Sequence, residues 1–287
     1  MPMTWPIKRR PPQNEDPDAK PVTLRRRMMR VHEQTPEEQL QQSQDVLAWA
    51  IKKRGPDSPF AVKARNEVAN QLSRQGRIAE EVVLRAQIAD SLRANLGPED
   101  EATLNAEWKL ATCLSVLERP EEADPLITHV VAGKTRLLGP NNPETLVALA
   151  WSANVAKKLG RLQEARTRQD QVVAGYESQG LAESAQALLA ELNLASTLTD
   201  LGELDLATVR LRHVVDVRNE ILGPDDPKTL DALSLLASVL FMSSQDAEAT
   251  VMARSLVDKR TALLGPDAPE TVASRQFLAT VEARHNS

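Results

Sequence analysis

The side chains best suited to chemistry in this sequence are four histidines and one cysteine, Cys113. A single cysteine provides neither a disulfide within the chain nor a thiolate metal site, so we expect Cys113 to be a small buried residue on a helix. His129 and His213 lie 84 residues apart, which suggests one outward-facing polar position of a repeat. His32 and His285 have no such counterpart.

The usual catalytic arrangements are missing from the sequence. There is no Ser-His-Asp arrangement, no zinc-ligand spacing and no glycine-rich phosphate loop. Carboxylates are plentiful, but on helix surfaces they are usually solvated. The sequence therefore predicts a protein that is not an enzyme and that uses no metal and no cofactor.

Composition favours helices, and the charge is unevenly distributed. Aromatic residues make up only 3 % of the chain, so the core must be aliphatic, which suits closely packed helices better than strands. Residues 1–35 carry eight basic and four acidic side chains, a net of +4, which leaves −9 on the remainder of a chain with a total charge of −5. An acidic body argues against nucleic acid as a partner.

One basic segment, Leu24–Arg30, is the exception. It is suited to nucleic acid, to an anionic membrane or to the acidic body of the chain, or it is a solvated tail. No apolar run approaches the roughly 18–20 residues that a membrane span needs. The start of the chain is charged and proline-rich, which argues against a secretory signal, so we expect a cytoplasmic protein.

A repeat of 42 residues runs through most of the chain. Gly-Pro occurs at 55–56, 97–98, 139–140, 223–224 and 265–266, which gives intervals of 42, 42, 84 and 42. The missing member falls at Gly180-Leu181, where the proline is absent. One column at the same period is entirely alanine, and consists of Ala69, Ala111, Ala153, Ala195, Ala237 and Ala279.

Within each unit, the apolar residues have the spacing of two amphipathic helices. Gly160 and its repeat equivalents lie between the two helices, where a left-handed residue can reverse the chain. Gly-Pro ends the second helix, and pairs such as Asn142-Pro143 place an N-cap residue before a proline at the first helical position. Alanine columns fit helices whose backbones approach closely.

These residues resemble a known family. The pattern Leu-Gly-Pro-(Asp/Asn)-x-Pro-x-Thr-(Leu/Val) at 138–146, 222–230 and 264–272, with Gly160-Arg161-Leu162-Gln163-Glu164-Ala165, is similar to the 42-residue tetratricopeptide repeat typical of kinesin light chains and many bacterial repeat proteins. The resemblance implies an all-α fold, a right-handed α-solenoid of antiparallel helix pairs. Four features depart from the pattern. Glu81 replaces a turn-side alanine, Glu118 and Ser244 replace the turn glycine, and the junction at 181, without its proline, is expected to bend or open the stack.

The same register divides the chain into four parts. We expect a disordered basic and proline-rich tail at 1–35, an N-terminal half-repeat helix at 36–54, five repeat units at 55–264 and a capping helix within 265–287. One repeat cannot bury its apolar face alone, so neighbouring repeats must cover each other.

The resemblance further implies a concave groove lined by the first helix of each unit. The predicted partner-binding residues are Asn66, Asn70, Arg74, Asn105, Trp108, Thr112, Asn154, Lys157, Lys158, Asn193, Ser196, Ser238 and Phe241. One column of this groove is small and polar throughout, and consists of Asn70, Thr112, Asn154, Ser196, Ser238 and Thr280. Such groups can hydrogen-bond a peptide backbone. The alternative is a wall that is merely solvated.

Charge and aromatic residues predict two further features of the groove. Arg74, Lys157 and Lys158 predict a basic N-terminal half, and Phe241 with Met242 an apolar C-terminal half, which would suit a ligand with an acidic and an apolar portion. Trp108 and Trp151 are either anchors for a partner side chain or part of the core between units.

The sequence thus favours a protein-interaction scaffold or adaptor whose groove holds a peptide or helical segment of a partner. The alternative is a sensor or regulatory subunit of a bacterial signalling or defence system that acts with a separate effector.

Overall fold

The computed structural model describes residues 35–285. The expected tail, apart from Thr35, the basic segment 24–30 and His32 lie outside these residues. Within the described range the chain forms twelve helices and no strand. The helices are α1 Pro36–Arg54, α2 Pro59–Arg74, α3 Ile78–Leu96, α4 Glu101–Val116, α5 Pro120–Leu138, α6 Pro143–Lys158, α7 Leu162–Glu177, α8 Ala185–Asp200, α9 Leu204–Leu222, α10 Pro227–Met242, α11 Asp246–Leu264 and α12 Pro269–His285.

Each helix packs against the next one along the chain, which makes the molecule a solenoid of consecutive helix pairs. The predicted all-α solenoid is confirmed. We call α2, α4, α6, α8 and α10 the first helices, and each has 16 residues. The second helices α3, α5, α9 and α11 have 19 residues, as does α1. No helix in residues 35–285 is long and apolar enough to span a bilayer.

The helix ends follow from local sequence. Thr35 forms a capping box with Glu38, and Pro36 occupies the first turn of α1. The Asn142 side chain accepts a hydrogen bond from the backbone N–H of Glu144 at 2.9 Å, which satisfies one of the free donors of α6. Since these caps depend on a few neighbouring residues, the same element recurs in each repeat.

Two turns use a left-handed residue that is not glycine. Glu118 has a φ of 54° and Ser244 a φ of 60°, at the positions where Gly160 and Gly202 stand in other repeats. The turn therefore keeps the same backbone geometry without glycine. The cost is a left-handed conformation in which the Cβ atom lies too close to the backbone.

The junction after α7 differs from the others, as the missing proline suggested. α7 has 16 residues instead of 19 and ends at Glu177. The chain then turns through Gly180, with a φ of 70°, and the N–H of Leu181 donates to the carbonyl of Tyr176 at 3.0 Å. Leu181 is left exposed and lines a cavity at this point.

The core lies between neighbouring helices along the whole stack. The alanine column is almost fully buried in α2, α4, α6, α8 and α10, because these helices approach each other closely. Ala279, the last member of the column, is exposed. It lies on α12, after which the structure describes no further helix to cover it.

Candidate functional site

The first helices present a continuous surface, which we call the first-helix face. Its middle holds two cavities. The central cavity, of about 580 Å³, lies between α4, α6 and α8 and is lined by Trp151, Asn154 and Asn193 among others. The junction cavity, of about 510 Å³, lies at the irregular turn after α7, where Trp108, Tyr176 and Leu181 line it.

Trp108 and Trp151 contact each other between the two cavities. Their ring centroids are 5.9 Å apart and the planes meet at 78°, an edge-to-face arrangement. Both rings are half-buried and pack against the core, yet each also lines a cavity. The two interpretations from the sequence are therefore compatible, since each ring has one face in the core and one toward the surface.

The small polar column is not a uniform row of free groups. Arg85 donates to Asn70, and the Lys157 ammonium donates to the Ser196 hydroxyl at 2.6 Å. The hydroxyls of Thr112, Ser238 and Thr280 each donate to a carbonyl one turn earlier in their own helix. Among the described residues, only Asn154 of this column has a side chain without a hydrogen-bond partner in the protein. The predicted six-residue ladder thus reduces to one wholly free member.

Asn66 and Asn70 are half-buried, and their side chains are already hydrogen-bonded within the protein. The Arg85 guanidinium donates to the Oδ1 atoms of Asn66 at 2.6 Å and Asn70 at 2.8 Å. It also forms an ion pair at 2.9 Å with the buried carboxylate of Glu81. Their oxygens already bind a buried cation, so only their amide N–H groups are left for a partner, and their contact with one stays a prediction.

The basic half of the predicted groove is largely neutralised. Lys157 pairs with Asp200 at 2.9 Å, and Lys158 pairs with Glu118 at 2.8 Å. Arg74 lies 4.0 Å from the carboxylate of Glu67. Charge counting along the sequence missed Glu118 and Asp200, because they come from a turn and from a neighbouring first helix.

The apolar end of the groove is partly covered. The Arg284 guanidinium of α12 lies 3.4 Å from the centre of the Phe241 ring, and Phe277 packs edge-on against it at 5.9 Å. Phe241 is therefore half-buried under the last helix, whereas Met242 beside it is exposed.

Three predicted asparagines keep their side-chain amides free of partners among the described residues. Asn105 lines the junction cavity. Asn154 and Asn193 line the central cavity from two successive first helices, and they share a third, smaller cavity of about 120 Å³ with Trp151. These amides and the two tryptophans are the groups that the structure brings together.

The histidines have partners that the sequence did not suggest. His129 Nδ1 lies 2.6 Å from Glu107, and His213 Nδ1 lies 3.0 Å from Glu191. Both glutamates are almost fully buried. The signal was present, since Glu107 and Glu191 are 84 residues apart, as the histidines are. In residues 35–285, no three histidine, cysteine or acidic side chains are placed to hold a metal ion.

Cys113 is buried, as the sequence suggested. Burial, together with the nearby Glu81 carboxylate, raises the pKa of its thiol to about 11. The thiol is therefore protonated and unreactive at neutral pH.

A family model described as a tetratricopeptide repeat matches residues 183–260. Residues 183–260 are therefore tetratricopeptide repeats. The matched residues extend from α8 into α11, and the helix pairs before them keep the same 42-residue period. Tetratricopeptide folds generally mediate contacts with other proteins or peptides and are generally not enzymes.

Solved structures agree on the tetratricopeptide fold. The chain is similar to a Podosopora anserina kinesin light chain with nearly identical TPR-like repeats, at 23 % identity over 71 % of this chain and 96 % of that one, with a TM-score of 0.64. It is similar to a signal-transduction ATPase from Pyrococcus horikoshii with a tetratricopeptide repeat sensor, at 11 % identity over 90 % of this chain and 38 % of that one (TM-score 0.67). YrrB, a TPR protein with an unusual peptide-binding site, is 16 % identical over 80 % of this chain and 97 % of that one (TM-score 0.51). No curated protein matches the sequence.

Proposed function

We propose that this tetratricopeptide protein is an interaction adaptor that binds an extended peptide segment of a partner on the middle of the first-helix face. The observation that carries the proposal is the pair Asn154 and Asn193. Their amides lie on successive first helices, line the same two cavities and have no partner among the described side chains.

An asparagine amide matches the peptide group, because it offers both a donor and an acceptor. Two such amides on successive helices suit a backbone that runs along the stack, as in other modes of peptide recognition. Trp151 lines the same two cavities and provides an apolar surface for a partner side chain. The likeness to YrrB, a TPR protein with an unusual peptide-binding site, is consistent with this use of the fold.

A peptide display experiment tests the proposal. A library of random 12-residue peptides with amidated C-termini is selected on the full chain, and the affinities of enriched peptides are measured by fluorescence anisotropy. We expect Asn154→Ala and Asn193→Ala each to weaken binding by about tenfold, because a peptide group would lose its partner in a partly desolvated site.

Ser238→Ala is the matched control. It lies in the same column as Asn154, but its hydroxyl is already bonded to the carbonyl of Ser234 at 2.9 Å. Affinity should change little in this variant, and circular dichroism should show that all variants are folded. Failure to enrich any peptide, or unchanged binding in both asparagine variants, would contradict the proposal.

The sensor interpretation is the second candidate. The likeness to the sensor-bearing ATPase of Pyrococcus horikoshii covers 90 % of this chain. A sensor subunit would alter the activity of a separate effector on binding its ligand, whereas an adaptor would only join two proteins. Measuring the activity of a captured partner with and without a selected peptide separates the two.

A further inference from the structure

Lys134 and Arg218 occupy the same position of two repeats, 84 residues apart on α5 and α9. Lys134 is buried and its ammonium group pairs with the Glu144 carboxylate at 2.6 Å. The position of Glu144 is held by Lys228 two repeats later. Beside Arg218, therefore, a cation stands at the position that holds the counter-ion beside Lys134.

Arg218 is consequently a buried guanidinium without a carboxylate partner. Only 9 % of the residue is exposed, and Nη1 donates to the backbone carbonyl of Lys228 at 2.6 Å. Arg218 forms no ion pair within residues 35–285. Asp231, which is close enough to influence it, is held by Arg260 at 2.9 Å. Burial lowers the pKa of Arg218, and the more distant Asp231 and Asp226 only partly oppose this effect.

The side chain of Arg218 lines a cavity of about 510 Å³, which we call the Arg218 cavity. Its apolar wall consists of Leu188, Leu189, Leu192, Ile221 and Leu222, and its charged rim of Lys228, Asp231 and Glu183. Lys228 has no ionic partner among the described residues. A buried cation that lacks a counter-ion is costly, so a ligand carboxylate at this point would relieve the cost.

The Arg218 cavity continues the surface to which Asn154 and Asn193 belong. Gln186 and Leu189 line both this cavity and the small cavity that the two asparagines share. A peptide that lies across the asparagines can therefore reach the Arg218 cavity by passing over Gln186 and Leu189.

We propose that Arg218 and Lys228 bind the carboxylate of an aspartate or glutamate side chain of the partner peptide, with a neighbouring aliphatic side chain in the Arg218 cavity. The inference rests on the proposed function for the peptide itself, but the site is defined by its own residues. Lys157 and Lys158 on α6 are already paired with carboxylates. We therefore place the acidic portion of the ligand at α9 and α10 rather than at α6.

The missing counter-ion is tested without any ligand. Arg218→Met should raise the thermal midpoint by a few degrees, and Lys228→Glu, which supplies the carboxylate found at Glu144, should do the same. The matched variant Glu144→Lys should lower the midpoint, because it leaves the buried Lys134 ammonium without its carboxylate. A lower midpoint in both Arg218→Met and Lys228→Glu would overturn the inference.

Ligand binding is tested with defined probes. Millimolar N-acetyl-Leu-Glu-amide should raise the midpoint of the wild type, but not that of Arg218→Met or Lys228→Glu. N-acetyl-Leu-Gln-amide, which lacks the charge, should have no effect. An equal shift with both probes, no shift with either, or a shift only with an acetylated dileucine that has a free C-terminus would each contradict the assignment.

Selected peptides separate this inference from the proposed function. Replacing the acidic residue by its amide should weaken binding to the wild type about tenfold and to Arg218→Met less than twofold. The same acid dependence should persist in Asn154→Ala, although its overall affinity is lower. If no peptide is enriched but the Leu-Glu probe stabilises the chain through Arg218, the peptide proposal fails and the carboxylate site stands.

Discussion

Glu81 and Arg85 form a buried ion pair within one turn of α3, with both side chains at least nine-tenths buried. The Glu81 Oε1 atom accepts from the Nε and Nη2 atoms of Arg85 at 3.0 and 2.9 Å. In the next repeat the same two positions hold Ala123 and Ile127, which are buried in the apolar core. The first repeat thus has a buried ion pair at the two positions where its neighbour has apolar side chains.

This contrast predicts opposite effects of one and two substitutions. Glu81→Ala leaves the Arg85 charge buried with only amide partners and should cost about 3–5 kcal/mol. Glu81→Ala combined with Arg85→Ile copies the next repeat and should be neutral or stabilising. Urea denaturation measures both. Glu80→Ala, which removes the exposed partner of Arg77, is the control and should change the midpoint little. A double variant as unstable as the single one would contradict this account.

Cys113 predicts a specific loss of stability at high pH. Its pKa is raised from 9.0 to about 11 in the folded chain, so between these values the unfolded state releases the proton first. Stability should be unaffected below pH 9 and fall as the pH rises to 11, by at most about 2–3 kcal/mol. Comparing urea midpoints of the wild type and Cys113→Ala across this range isolates the effect.

The same protonation predicts that Cys113 resists thiol reagents. A disulfide reagent at pH 8 should modify Cys113 slowly in the native protein and rapidly in urea. Rapid modification of the native chain, or equal pH dependence in wild type and Cys113→Ala, would show that the thiol is not held protonated by the fold.

Ser244 predicts a gain in stability on substitution by glycine. Its φ of 60° is costly for a residue with a Cβ atom, and other repeats place glycine there. Ser244→Gly should raise the free energy of unfolding by about 1 kcal/mol. Gly160→Ser, the reverse change at an equivalent turn, should lower it. If both substitutions changed the free energy of unfolding in the same direction, backbone strain would not be the cause of the change.

Lys157 and Lys158 predict little direct contribution to binding. Since Asp200 and Glu118 already neutralise them, removing both charges of each pair should change the affinity of selected peptides by less than about threefold. The variant is Lys157→Gln with Asp200→Asn and Lys158→Gln with Glu118→Gln. The swap Lys157→Glu with Asp200→Lys keeps the pair and controls for lost packing. The contrary outcome is that acidic peptides bind about tenfold more weakly both to this variant and to the swap variant. That result would support the basic groove that the sequence predicts.

The candidate site was only partly predictable from the sequence. Periodicity places Asn154 and Trp108 on first helices, because side-chain direction on a helix follows from residue number. It does not reveal that Arg85 donates a hydrogen bond to Asn70, or that Lys157 binds Ser196 and Asp200. These partners lie 15 to 43 residues away, and long side chains choose among several acceptors according to the packing around them.

What the sequence by itself determined is the repeat: its period, its helix pairs and most of its turns. Those features depend on interactions within a few residues, such as the Asn142 cap, and on a pattern of small residues that recurs every 42 positions. Tertiary structure alone decided which polar groups are free. Asn154 and Asn193 are open because no neighbouring helix offers a partner, and Arg218 lacks a counter-ion because Lys228 stands where Glu144 stands two repeats earlier. Charge compensation depends on which side chains meet across helices, and that is settled by packing.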